Sequence, residues 1–340
     1  MVRQFRGSIS LLLAAIIWGT AFVAQSEGMN YVEPFTYNAI RTLIGGLILI
    51  PAVIRSVWKE RKPPFTIPGP DYRESVKGGI CCGVLLFAAS SLQQFGITMT
   101  TAGKAGFVSA LYVVIVPLLS LFMHRRIPKL IWGCIGAAIA GFYLLCVSTG
   151  FSINKGDKLM LICALFFALH IIAVDHFSKR FADGTMMACV QFFTAGFMML
   201  GCMLKYEHPV LTNILAAKDT ILYAGIMSCG VAYSLQMMGQ RETSPTVATM
   251  LMSLEAVIAA VAGCLILHEQ LTMREVIGCV LVFAAVVAAQ MLKTEPEQNK
   301  KAEYVPKYSW EFVKPAVSAT LRTPLTQSRS EDLHPSGAPH

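Results

Sequence analysis

Ten apolar runs separated by short polar loops limit what this chain can fold into. The runs cover residues 7–26, 34–55, 76–97, 103–123, 130–149, 157–177, 184–204, 220–240, 245–267 and 275–292. Each is about 20 residues long, enough for a helix to cross the roughly 30 Å hydrocarbon core of a bilayer. We therefore predict an all-α, polytopic membrane protein with ten transmembrane helices. Residues 293–340 are rich in Lys, Glu, Pro and Ser, which predicts a disordered cytoplasmic tail.

The composition agrees with a lipid environment. Only 14% of the residues are charged and 55% are hydrophobic, whereas soluble domains carry about 25% charged residues. The net charge of +8 comes from basic residues that gather in short loops, so we expect no nucleic-acid partner. The ten cysteines lie almost wholly inside apolar runs and form no CxxC pair. They are expected to be small packing residues, and no metal or cofactor is predicted.

The distribution of charge predicts an orientation. Basic residues occupy the loops at 55–77, 124–129, 179–180 and 241, whereas the loop at 27–33 is acidic. Cytoplasmic loops carry the excess of Lys and Arg, so both termini are predicted to be cytoplasmic. The short loops are typical of a bacterial plasma (inner) membrane protein. The sequence leaves the oligomeric state open between a monomer and a homodimer.

An internal repeat organises the ten runs. Ser91-Leu92-Gln93-Gln94-Phe95-Gly96 returns as Ser234-Leu235-Gln236-Met237-Met238-Gly239, and residues 105–111 correspond to 248–254. The predicted halves are 1–150 and 151–292, each with five runs, followed by the tail at 293–340. Because five is odd, the second half would enter the membrane inverted. Inverted repeats are used by secondary transporters, whose substrate site lies near the midplane between the halves.

Three ionisable residues inside the runs are candidates for that site. A carboxylate at the centre of a span costs about 2.5–3.5 kcal/mol, so Glu255 is expected to face a cavity or a partner. It could bind a substrate ammonium, carry a coupling proton, or be a neutral structural group. Arg41 could meet a substrate carboxylate or extend to the membrane surface. His170 could face a ligand or be a packed, hydrogen-bonded group.

Uncharged candidates complete the predicted site. Gln93, Gln94 and Gln236 place amides at the same depth in both halves. They could orient a substrate or hold neighbouring helices together. Trp18 and Tyr112 are candidate cavity walls, with packing as the alternative role.

The ordered set of motifs resembles the drug/metabolite transporter superfamily, EamA-type. The motifs are Trp18-Gly19-Thr20, Pro34 with Arg41, Pro117, and Leu254-Glu255 followed by residues 268–272 and Gly278. The resemblance covers about residues 7–292 and implies ten helices in two inverted repeats around a central cavity. It also implies the export of amino acids and other small metabolites.

The sequence departs from that family in three places. Ala256 stands where many members have proline, and Arg125-Arg126 replaces the usual Gly-Glu. The first run contains no glutamate, so the proton-coupling scheme of the four-helix relatives is not transferred.

The sequence thus predicts a secondary transporter that works by alternating access on a small-molecule substrate. Glu255 and Arg41 would be the charge partners of a zwitterion. A nucleotide or sugar derivative or a cationic drug is an alternative substrate. An intramembrane enzyme is a further alternative, although no HExxH or GxSxG motif is present. A receptor or scaffold would not need a site between related halves.

Overall fold

The computed structural model describes residues 2–60, 72–122, 129–146, 155–178, 183–268 and 272–291. The regular structure in these ranges is entirely helical, which confirms the all-α prediction. The helices are α1 Val2–Gly28, α2 Pro34–Glu60, α3 Tyr72–Ile97, α4 Ala102–Ser109, α5 Tyr112–Phe122, α6 Lys129–Cys146, α7 Lys155–Ser178, α8 Gly184–Tyr206, α9 Leu211–Ala216, α10 Lys218–Tyr223, α11 Tyr233–Glu242, α12 Pro245–Met252, α13 Leu254–Ile266 and α14 Met273–Met291. A π-helical stretch, Ala224–Ala232, joins α10 to α11 and is called the π segment below.

Eight helical segments of the described ranges are long and apolar enough to cross a membrane. They are Phe5–Gly28, Pro34–Trp58, Tyr72–Ile97, Ala102–Leu119, Lys158–Ser178, Gly184–Tyr206, Lys218–Glu242 and Val247–Ile266. The predicted fifth and tenth runs coincide with α6 and α14, whose described apolar portions, Trp132–Gly141 and Val276–Ala285, are shorter. The eight segments support a polytopic membrane protein, and the number ten stays a prediction.

Several sequence predictions fall outside the described residues. These residues include 61–71, 123–128 and 179–182, which hold half of the Lys and Arg residues of the predicted cytoplasmic loops, and the predicted tail at 293–340. The cytoplasmic placement of both termini and the disorder of the tail therefore stay predictions.

Two of the predicted runs, 103–123 and 245–267, are broken near their middles. The first is interrupted at Ala110 and Leu111, between α4 and α5, and the second at Ser253, between α12 and α13. At each break the chain changes to i→i+3 hydrogen bonds: Val113 N donates to Ala110 O at 3.0 Å, and Ala256 N donates to Ser253 O at 3.2 Å. Ala110 and Ser253 are 143 residues apart, as are the repeated Ser-Leu-Gln motifs.

Close helix contacts hold α1 near the centre of the bundle. It packs against α11, α13 and the π segment. A Cβ atom on Gly19 would lie 2.6 Å from Ile258 Cβ and 2.8 Å from the backbone oxygen of Glu255. Only glycine therefore fits where α1 crosses α13, which gives the Trp-Gly-Thr motif a structural reason.

Helices α2 and α8 form a second closely packed pair, and polar contacts fasten both of its ends. At one end, Glu207 Oε1 accepts from Phe35 N at 2.7 Å, and Glu207 Oε2 accepts from Thr36 N at 2.6 Å. These contacts satisfy backbone donors in the first turn of α2. At the other end, Ser56 Oγ donates to Asp183 Oδ2 at 2.5 Å.

Candidate functional site

A cavity of about 50 Å³ lies among α1, α2, α3, α5, α7, the π segment and α11 to α13. Seven of the eight predicted site residues line it: Trp18, Arg41, Gln93, Tyr112, His170, Gln236 and Glu255. Space of this size holds a few water molecules. A metabolite as large as an amino acid would need the walls to move apart.

Glu255 and Tyr112 meet at the two helix breaks. Tyr112 begins α5 and Glu255 lies in the first turn of α13. Tyr112 Oη donates a hydrogen bond of 2.8 Å to Glu255 Oε1, between positions 143 residues apart. The side chains are 4% and 6% exposed, respectively. The carboxylate thus has one neutral donor on one of its two oxygens.

Arg41 is held by neutral groups. Its Nε donates to Asn38 Oδ1 at 2.8 Å, and its Nη1 lies 4.0 Å from Cys229 Sγ. The guanidinium carbon stands 5.8 Å from the centre of the Tyr37 ring, within the range of a cation–π contact. Among the described residues, Arg41 and Glu255 form no ion pair with each other. One cavity therefore carries two groups of opposite formal charge that do not neutralise each other directly.

Hydrogen bonds fix the orientation of the other polar lining groups. His170 Nε2 and Gln191 Oε1 lie 3.1 Å apart, and Gln93 Nε2 donates to Ser109 Oγ at 3.3 Å. Neither Gln191 nor Ser109 belongs to the predicted site. His170 and Gln93 are therefore oriented by hydrogen bonds to two residues that do not line the cavity.

Aromatic side chains form one wall. The indole of Trp18 donates from Nε1 to the backbone oxygen of Ser228 at 3.3 Å. The ring of Tyr233 meets that of Trp18 edge-on at 4.8 Å and that of His170 at 6.0 Å. The predicted wall residue Trp18 is thus fixed by two contacts from the second half of the chain.

Gln94 is the predicted residue that does not line the cavity. Its Nε2 donates to the backbone oxygen of Gln25 at 3.3 Å, and Gln25 itself reaches the cavity wall. A substrate-binding role for Gln94 stays a prediction.

Sequence reasoning missed several lining residues. Phe22 and Gln25 follow Trp18 by four and seven residues on α1, so helical spacing from Trp18 could have found them. Ser228 lies five residues before Tyr233, a separation that does not share one face of an α-helix. The π segment changes the register there, so Ser228 and Tyr233 both reach the cavity. No three His, Cys, Asp or Glu side chains gather as metal ligands in the ranges that the structure describes.

Comparison with known proteins agrees with this architecture. The sequence profile of the EamA-like transporter family matches twice, over residues 5–147 and 154–289. A solved crystal structure shares the fold with a TM-score of 0.68 at 18% identity, covering 84% of this chain and 96% of that one.

Relatives occur in distant organisms. An uncharacterized transporter of Archaeoglobus fulgidus is 30% identical over 85% of this chain and 87% of its own length. An uncharacterized transporter of Clostridium kluyveri is 25% identical over 82% and 90%. A WAT1-related chloroplast protein of Arabidopsis thaliana is 25% identical over 81% and 67%. The chain is an integral membrane protein of the EamA-like transporter family, within the drug/metabolite transporter superfamily.

Proposed function

We propose that this protein exports a small zwitterionic metabolite, such as an amino acid, by alternating access of the central cavity. In this proposal Glu255 binds the ammonium group and Arg41 binds the carboxylate. Gln93, Gln236 and His170 orient the substrate by hydrogen bonds, and Trp18 and Tyr112 form walls. Gln94 supports this set from behind, through Gln25.

The observation that carries the proposal is the pair of opposite charges on one cavity. A buried charge is expensive unless a partner compensates it. Glu255 and Arg41 are both more than nine-tenths buried and do not pair with each other. A zwitterion supplies both missing partners at once, whereas an anion or a cation supplies one.

Inverted halves are the second part of the proposal. We infer ten spans in two five-helix repeats, 1–150 and 151–292, with both termini cytoplasmic. The equivalent breaks at Ala110 and Ser253 support this arrangement. In a two-fold arrangement, equivalent residues near the axis contact each other. Tyr112 bonds Glu255 and Cys189 Sγ lies 3.6 Å from Gly46 O, and both pairs are 143 residues apart.

The packing of the helices also supports a two-fold relation between the halves, because the main helix contacts of one half have counterparts in the other. α1 packs against α11 and α13, and its counterpart α7 packs against α3, α4 and α5. The remaining equivalent helices, α2 with α8 and α6 with α14, pack against each other. Rocking of two such halves around a fixed site is the usual form of alternating access.

Glu255 could also carry a coupling proton. Among the described residues, only Tyr112 bonds the carboxylate, through Oε1, so the second carboxylate oxygen is left for a proton or for an ammonium group. A cationic substrate is the rival that the aromatic wall of Trp18 and Tyr233 favours, because aromatic faces attract cations.

The melting temperature of the purified protein, measured with and without added ligands, distinguishes a zwitterionic substrate from a cationic one. A ligand at a hundred times its Kd adds about 2.7 kcal/mol to the folded state. For a zwitterion, we expect amino acids to raise the melting temperature and both Arg41→Gln and Glu255→Gln to abolish the rise. For a cation, quaternary ammonium compounds would raise it and only Glu255→Gln would abolish the rise.

Matched controls lie at the end of α11. Arg241 and Glu242 are exposed and outside the cavity. Arg241→Gln and Glu242→Gln should leave every shift unchanged. A shift by amino acids that survives both cavity variants would refute the assigned roles of Arg41 and Glu255.

A further inference from the structure

Several buried polar side chains in and beside the cavity have at least one polar atom without a hydrogen-bond partner among the described residues. Gln25, Gln94, Gln236, Gln240 and Thr243 are each at most 4% exposed. Among the described residues, no hydrogen-bond partner lies within reach of the amide oxygens of the four glutamines, the amide nitrogen of Gln240 or the hydroxyl of Thr243. Buried polar groups are nearly always hydrogen-bonded in folded proteins, so this concentration needs an explanation.

The first series leaves the cavity along α1 and α3. Gln25 lines the cavity near the end of α1. Gln94 continues the series, because its Nε2 donates to the backbone oxygen of Gln25 at 3.3 Å. The side-chain oxygens of both residues remain without a partner in the described structure.

The second series follows one face of α11. Gln236 lines the cavity, and Gln240 and Thr243 follow at i+4 and i+7. Gln240 is fully buried, yet neither atom of its amide group has a partner among the described residues. The series ends with Thr243, directly after α11.

The two series run towards opposite ends of the bundle. A Cβ atom on Gly7 would lie 3.0 Å from Thr243 Oγ1, so the second series ends beside the start of α1. Gln25, in the first series, lies near the other end of α1. Gly7 and Gln25 are separated by about 27 Å along the helix, at 1.5 Å per residue. On α1 the cavity is lined by Trp18, Phe22 and Gln25, so it lies nearer the Gln25 end, and the second series continues beyond it towards Gly7.

We propose that these series line the two access routes of the cavity, Gln25 and Gln94 at one end and Gln240 and Thr243 at the other. When a route opens, its unpaired groups find water or substrate as partners. Amides are not needed at these positions for helix packing alone, because neighbouring positions on the same helices are filled by apolar side chains. Ile97, on α3, and Met237, on α11, are buried in apolar clusters. This inference rests on the proposed alternating access of the cavity.

Thiol labelling in sealed vesicles of known orientation tests the inference without a substrate. Gln94→Cys and Gln240→Cys are treated with a membrane-impermeant sulfonated methanethiosulfonate. The modified position is identified by mass spectrometry, so the ten native cysteines stay in place. Ile97→Cys and Met237→Cys are the matched controls on the same helices. Ile97 is a strict control, because it is closer than Gln94 to the end of α3.

We expect Gln94→Cys to react from one face of the membrane and Gln240→Cys from the opposite face. Each should react about tenfold faster than its control, because the thiolate that attacks the reagent needs water. Rates equal to the controls, or labelling of both positions from the same face, would overturn the inference. If either variant does not fold, Gln25→Cys and Thr243→Cys test the same two routes.

The result is separable from the proposed substrate. Labelling from opposite faces in a protein that binds no amino acid would keep the routes and reject the zwitterion. Transport of amino acids without labelling of either series would keep the substrate and place the routes elsewhere.

Discussion

The two buried ionisable residues of opposite formal charge in the cavity are held in unequal ways. Among the described residues, Arg41 has Asn38, Cys229 and the face of Tyr37 around its guanidinium, whereas Glu255 has one hydrogen-bond donor, the hydroxyl of Tyr112. In the proposed repeat, Tyr112 would be the equivalent of Glu255. The acidic group and its hydrogen-bond donor lie 143 residues apart in the sequence.

Tyr112→Phe tests how much this bond contributes. The variant removes only the hydroxyl and leaves a buried carboxylate oxygen without its donor, so we expect a loss of about 1–3 kcal/mol in the free energy of unfolding. Thermal unfolding in detergent measures it. Tyr206→Phe is the control, because the Tyr206 side chain is largely exposed. Equal stability of the Tyr112→Phe variant and the wild type would show that the bond contributes nothing.

At the residue scale, much of the site could be predicted from the sequence. An ionisable group in an apolar run is expensive, and this alone drew attention to Glu255, Arg41 and His170. The contact between Tyr112 and Glu255 could not be predicted in the same way, because it joins two halves of the chain across the cavity. Gln191 and Ser109 were missed because their role depends on the neighbours they orient.

At the element scale, the site depends on helices that approach closely or stop early. Gly19 brings α1 against α13 at Glu255, and the breaks place Tyr112 and Glu255 at the starts of α5 and α13. The apolar runs predicted where these helices lie. They could not predict the breaks or the π segment, because an apolar run reads the same whether its helix is continuous or interrupted.

A pair of glycine variants separates close packing from helix propensity. Gly19→Ala should lose about 1–3 kcal/mol, because the new methyl group would overlap Ile258. Gly201→Ala should gain up to about 1 kcal/mol, because no described atom outside the adjoining backbone of α8 lies within 4 Å of its new methyl group and alanine favours the helix. Thermal unfolding of both variants would show the opposite signs. A stabilised Gly19→Ala would contradict the described crossing of α1 and α13.

The α2–α8 pair provides a prediction about capping. Glu207→Ala removes the acceptor of two backbone N–H groups and of the Thr36 hydroxyl, so we expect a loss of about 2 kcal/mol or more. Glu242→Ala, at an exposed residue of α11, should change stability by less than about 0.5 kcal/mol. Chemical or thermal unfolding measures both. Similar losses in the two variants would show that Glu207 is not a specific cap.

At the scale of the whole molecule, the cavity is small and is lined by helices from both segments that match the family profile, residues 5–147 and 154–289. The repeat of residues 91–96 at 234–239 predicts that these two parts are inverted halves, and this arrangement stays a proposal. The small size of the cavity could not be predicted, since it depends on packing between helices distant in sequence. With room for only a few waters, the described state has to open before it can take up a metabolite.

Transport itself is the most direct measure of this mechanism. Sealed proteoliposomes would be loaded with an unlabelled amino acid and the uptake of the same radiolabelled amino acid followed by counterflow. We expect accumulation with the wild type, Arg241→Gln and Glu242→Gln proteins, and a fall to the level of empty liposomes with Glu255→Gln or Arg41→Gln. Undiminished counterflow in both cavity variants would contradict recognition of the substrate by this pair of charges.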